Sequence, residues 1–98
     1  MVIYIDIDET ICHYPDGKRQ YNLAWPIKEN IEKANKLYDD GHTIIYWTAR
    51  GSITKIDYNE LTRKQLADWG VKHHDLRVNK PYYDLFICDK AMNTEDWK

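Results

Sequence analysis

The sequence predicts an α/β domain built on a short parallel sheet, and three observations carry that expectation. Apolar runs short enough to be buried strands alternate with segments of helical periodicity, in the order strand, helix, strand, helix. Pro26, Gly41 and Gly70 punctuate the chain where one element gives way to the next. The chain has 98 residues, 43% hydrophobic and 31% charged, which is enough for a single domain spanning 1–98.

Val2 to Ile7 is a Val- and Ile-rich run broken by Asp6, and it reads as the first strand. The polar stretch 13–22 carries Pro15, Asp16 and Gly17, whose turn chemistry predicts a small flap. Pro26 suits a first helical turn. Ile27, Ile31, Ala34 and Tyr38 then recur at helical spacing, and Gly41 supplies the stop. His42 to Thr48 reads as the second strand and ends in the polar cluster Thr48 to Ser52. Asp57 is placed to cap a second helix with Tyr58, Leu61, Leu66 and Trp69 on one face, closed by Gly70. Leu76 to Val78 reads as a short third strand and Asp84 to Cys88 as a further apolar one. Only Asn79 to Tyr83 separate these two, fewer than the dozen or so residues of a parallel crossover. Either the third strand is a stub or the link runs back extended.

Charge and composition exclude several function classes. Fourteen Lys and Arg against sixteen Asp and Glu leave a net charge of −2, so no broad basic field advertises nucleic acid or an anionic membrane. No run approaches the roughly 20 apolar residues that span a bilayer, and the chain opens on a strand instead of a signal peptide. A soluble, cytoplasmic protein is expected, with Cys12 and Cys88 as reduced thiols. The partner is expected to be small. A chain this short has a high surface-to-volume ratio, which favours a homo-oligomer.

Functional groups in open parallel sheets gather outside the carboxyl ends of the strands. On the strand map, Asp6 and Asp8 close the first strand, Thr48 the second and Asp89 the last, while Lys80 follows the third. Carboxylates one residue apart at a strand end repel unless a cation or a shared proton intervenes. A hard divalent cation solves this, and magnesium is the usual choice where phosphate is handled.

The residues "DIDET" at Asp6 to Thr10, "TIIYWT" ending at Thr48, the lysine of "NKP" at Lys80 and "DLFICDK" with Asp89 follow one another in order. This set resembles the four motifs of the haloacid dehalogenase-like superfamily of phosphohydrolases, over residues 2 to 90. The "TARG" after the second strand and "KPYYDLFICDKA" near the C-terminus resemble a short, capless group associated with capsular and surface-polysaccharide biosynthesis. The resemblance implies a minimal Rossmannoid three-layer sandwich, with helices on both faces of a short parallel sheet and no large cap domain. Two departures stand out. Glu9 occupies a turn position where superfamily members often carry Gly, so its side chain should point outward. Cys88 stands where many related sequences have an acid beside the one matched by Asp89.

By the same resemblance, Asp6 would be the nucleophile that forms an aspartyl phosphate. Asp8 would protonate the leaving alcohol and then deprotonate the attacking water. Asp6, Asp8 through its backbone carbonyl, and Asp89 would hold Mg2+. Thr48, Ala49, Arg50 and Lys80 would bind the phosphoryl group or substrate, with Arg50 as a bidentate contact. The implied activity is Mg2+-dependent phosphomonoester hydrolysis of a small phosphorylated substrate, a sugar or polyol phosphate of polysaccharide precursor metabolism.

Other readings of the same residues are a receiver-like phosphoacceptor, a weakened phospho-ligand-binding module and, with less support, a polynucleotide 3'-phosphatase. Asp8 separates the first from an enzyme, because it offers a base that shortens the life of an aspartyl phosphate. Tyr14, Tyr21, Trp25, Tyr82 and Tyr83 flank the expected site and would suit a sugar ring. His13, His42, His73 and His74 lack ligand spacing and are expected in turns or at the surface.

Overall fold

A computed structural model describes residues 1–17 and 19–98. In chain order the elements are β1 (Val2–Ile5), β2 (Cys12–His13), β3 (Trp25–Pro26), α1 (Lys28–Asp39), β4 (Thr43–Trp47), α2 (Asn59–Asp68) and β5 (Asp75–Arg77). Single 3-10 turns occur at Tyr21–Leu23 and Thr94–Asp96.

The main sheet has the order β1-β4-β5, and both pairings are parallel. Its register sets Ile3 opposite Ile44, Ile5 opposite Tyr46 and Tyr46 opposite Leu76, so these side chains share one face. Ile31 and Ala34 from α1 and Leu66 from α2 join that face in a single core with Ile7, Ile11 and Val71. Both helices therefore cover the same side. The topology explains why: each crossover steps in the same direction across the sheet, and crossovers of one hand then place their helices on one face.

The opposite face carries Tyr4, Trp47 and Arg77, with Val2 and Tyr4 exposed. The α/β class and the short parallel sheet are present, but the expected third layer is not formed among the described residues. It would require a further strand, and Asp84 to Cys88 takes no regular structure and is exposed throughout. The short link after β5 gives the physical reason, because it cannot complete a parallel crossover.

Local departures have local causes. Pro26 pairs with Cys12 in the antiparallel β2–β3 ribbon instead of opening α1, which starts after Ile27 in an extended conformation. That ribbon frames the expected 13–22 flap, of which residue 18 lies outside the described residues. Asp57 accepts the Asn59 N–H at 2.9 Å, two residues on, while Tyr58 occupies the cap position. The buried positions of α2 are Thr62, Gln65 and Leu66, so its inward face is largely polar. His74 accepts the Ile44 N–H and stacks on Tyr38, which gives it a structural role. No helix among the described residues is long and apolar enough to cross a membrane.

Candidate functional site

Asp6 and Asp8 lie on the loop that leaves β1, where Thr10 and Ile11 donate to the Ile7 carbonyl and fold the chain back sharply. Glu9 sits at φ 63°, in the left-handed region that favours glycine, and its side chain is exposed. The turn thus keeps its shape with a side chain pointing outward, at the cost of backbone strain.

Asp6 is partly open to solvent. Its Oδ1 accepts from the Ile7 N–H at 2.9 Å, and its Oδ2 lies 3.4 Å from Lys80 Nζ. The main chain fixes Lys80 in place: its N–H donates to the Thr48 carbonyl at 3.1 Å, and its carbonyl accepts from Ser52 Oγ at 2.8 Å. Its ammonium lies 5.8 Å from the Trp47 ring centre and 5.5 Å from that of Tyr83, so two aromatic faces hold the charge beside Asp6. The ends of β4 and β5 are thereby tied to the carboxylate at the end of β1.

Asp8 has a different environment. Its side chain is 9% exposed and that of Arg50 is 0% exposed. Arg50 donates to both carboxylate oxygens, Nη2 to Oδ1 at 2.8 Å and Nε to Oδ2 at 3.2 Å, while Tyr14 donates its hydroxyl to Oδ1. Nη1 of Arg50 bonds Gln65 Oε1 at 2.6 Å and Thr62 Oγ1 at 3.1 Å, and the guanidinium carbon lies 4.8 Å from the Tyr21 ring centre. Burial alone would raise the Asp8 pKa. The hydrogen bonds and charge of Arg50, with smaller help from Tyr14 and Cys12, outweigh it and hold the carboxyl below its ordinary range. Burial and the adjacent Asp8 charge push the Cys12 thiol up to about 12, so it remains protonated.

Arg50 is therefore committed to the protein. The bidentate partner expected of it as a phosphate is, in the structure, the Asp8 carboxylate. Thr48 is buried behind the site, where its Oγ1 accepts the Arg50 N–H at 3.1 Å. That bond shapes the loop after β4, as does Gly51 at φ 84°, where an added Cβ would lie 2.2 Å from the Ile56 carbonyl oxygen.

Asp6, Asp8, Ala49, Arg50 and Lys80 border one open cavity of about 460 Å³, with Tyr82 and Tyr83 on its rim. Asp89 does not border it and is exposed. Among the described residues, no group of three or more His, Cys, Asp or Glu side chains is placed to hold a metal ion. Of the three expected ligands, Asp6 and Asp8 lie at the cavity, while Asp89 lies in the exposed segment 81–93 away from it. Asp6 remains as a partly free acidic donor. One carboxylate completed by water and the oxygens of a bound anion would be a donor set that suits Mg2+.

Sequence reasoning missed three contributors. Thr62 and Gln65 escaped because an apolar-stripe reading of α2 passes over polar residues that face inward. Arg19 lines the cavity as an additional cation, and its place in a polar flap gave no periodic signal.

No protein-family model matches the chain, and no curated protein matches it. Among solved structures, the chain is similar to a structural-genomics target from Vibrio cholerae, with a TM-score of 0.86 and 21% sequence identity over 99% of this chain and 87% of that one. The two chains share a fold. At this identity the likeness concerns the architecture alone, and the chemistry rests on the residues of the cavity.

Proposed function

We propose that the chain is a phosphomonoester hydrolase that works through Asp6 and acts on a small sugar or polyol phosphate, as a cytoplasmic enzyme of polysaccharide precursor metabolism. The observation that carries this reading is the Asp6–Lys80 pair, 3.4 Å apart at the edge of the cavity, with the lysine held by aromatic rings. A half-open carboxylate beside a fixed cation suits nucleophilic attack on an anionic phosphoryl group, because the cation offsets the repulsion between the two anions.

In this mechanism an Asp6 oxygen forms a bond to phosphorus as the bond to the leaving oxygen breaks, and the leaving oxygen takes its proton from water in the open cavity. Water then cleaves the aspartyl phosphate and releases inorganic phosphate. Asp8, held ionised by Arg50, suits the second step, accepting a proton from the attacking water, better than it suits donating one in the first. Lys80 and Arg19 supply positive charge at the cavity, and Tyr82 and Tyr83 offer faces for a sugar ring. Mg2+ is the proposed cofactor, with Asp6 and substrate oxygens as its ligands; when bound, it would neutralise phosphoryl charge.

A second reading has its own supporting observation. Both Asp8 oxygens are occupied by Arg50 and Tyr14, which blunts Asp8 as a base and would prolong an aspartyl phosphate, as a receiver-like phosphoacceptor requires. Turnover separates the two. Steady release of phosphate from an aryl phosphate and from members of a sugar and polyol phosphate panel is expected of the hydrolase. A single stoichiometric phosphorylation of Asp6 without turnover would replace it with the phosphoacceptor, and neither result would remove both.

A further inference from the structure

The C-terminal part of the chain contains a strip that the fold leaves unburied. Residues 81–93 are exposed without interruption, and within them Tyr82, Leu85, Phe86, Ile87 and Met92 are large apolar side chains open to solvent, with Leu85 at 75% and Ile87 at 87%. Single exposed apolar residues are ordinary on a protein surface, but a continuous run of them marks an interaction site.

The strip is held out at both ends. On one side Lys80 is bonded to Thr48 and Ser52; on the other, Thr94 Oγ1 meets Thr10 Oγ1 at 3.1 Å and the Trp97 carbonyl accepts from Lys33 Nζ at 2.8 Å. Between these anchors the hydrogen bonds of Cys88 are to its immediate neighbours Asp89 and Lys90. The Leu85 to Cys88 stretch has β-forming residues whose backbone lacks a ladder partner in its own chain among the described residues.

The same chain also carries a matching acceptor. Among the described residues β1 pairs only with β4, which leaves its outer edge open, and the face without helices exposes Val2 and Tyr4 beside that edge. β1 is four residues long, as is Leu85 to Cys88.

We propose that the strip from Tyr82 to Met92 is the docking surface for a second copy of this chain, seated against the open β1 side of its sheet. Each copy carries both halves of the contact, so reciprocal seating closes as a two-fold dimer and covers the β1 edge of both copies. Five large side chains at about 100–150 Å² each present roughly 500–750 Å², close to the ~800 Å² per partner of a stable interface. A net charge of −2 per chain opposes self-association only weakly. Within the strip Asp84 and Asp89 outweigh Lys90, and this net negative charge disfavours an anionic bilayer as the alternative occupant.

Sedimentation equilibrium of the full chain, from about 1 to 200 μM, tests this directly. Wild type should pass from monomer to dimer across the range, and labelling of the exposed Cys88 thiol should slow as the dimer fills. The donor variant Leu85→Asp/Ile87→Asp and the acceptor variant Val2→Asp should each raise the dissociation constant at least about tenfold. Both sets of positions are exposed, so circular dichroism and melting should match wild type at concentrations where wild type is monomeric. A wild-type chain that stays monomeric throughout, including one that instead co-sediments with vesicles, would overturn the proposal. Association undiminished in both variants would overturn it equally.

Discussion

Replacing Arg50 with methionine should cost the fold about 3–5 kcal/mol, the range for removing one partner of a buried ion pair. The structure sets this scale. Arg50 has no exposed side-chain surface, makes two bonds to a carboxylate that is 9% exposed, and satisfies Gln65 and Thr62 with its remaining nitrogen. Methionine fills much of the volume but leaves Asp8 charged and unpaired, with two polar side chains of α2 facing an apolar group. For a domain of this size the loss corresponds to a fall of about 15–25 °C in melting temperature.

The pH dependence has a definite sign. Arg50 holds the folded Asp8 pKa below its unfolded value, so the stability it confers is present above about pH 4 and is lost as pH falls through the depressed pKa. In Arg50→Met only burial still acts strongly on Asp8, its pKa rises, and the deficit against wild type should shrink on acidification. Thermal unfolding followed by circular dichroism at pH 7 and near pH 3 measures both effects. The double variant Asp8→Asn/Arg50→Met should recover most of the loss, since removing both charges removes the uncompensated one. A single variant melting within a few degrees of wild type at neutral pH would refute the buried pair.

Glu9→Gly should stabilise by about 0.5–1 kcal/mol in urea unfolding, because relief of left-handed strain exceeds the added entropy of glycine in the unfolded chain. Gly51→Ala should lose about 2 kcal/mol or more by the same measurement, since its Cβ would collide with the Ile56 carbonyl oxygen. Lys80→Met should lower turnover of an aryl phosphate by roughly 10²-fold or more while leaving the circular dichroism spectrum unchanged. EDTA should suppress turnover and added Mg2+ restore it; full activity after exhaustive chelation would remove the metal from the proposal.

Local signals were legible in the sequence to the extent that local physics decides them. β1, α1 and β4 follow from apolar runs and 3.6-residue spacing, and the grouping of Asp6, Asp8, Ala49, Arg50 and Lys80 around one cavity follows from their positions after strand ends. Partnerships between distant residues were not legible. Arg50 reads as a phosphate ligand until Asp8, Thr62 and Gln65 converge on it from two other segments. Pro26 reads as a helix start until Cys12, fourteen positions earlier, pairs with it. Asp84 to Cys88 has a strand's composition, but pairing depends on a reachable open edge, and the link from β5 is too short to reach one in parallel.

Mass spectrometry of the protein, quenched rapidly during incubation with an aryl phosphate, tests the proposed role of Asp6 most directly. Tandem fragmentation should place one phosphoryl group on Asp6, and Asp6→Asn should lose both the label and the release of phosphate. Turnover in Asp6→Asn, or a phosphoryl group found on Asp8 instead, would contradict the mechanism.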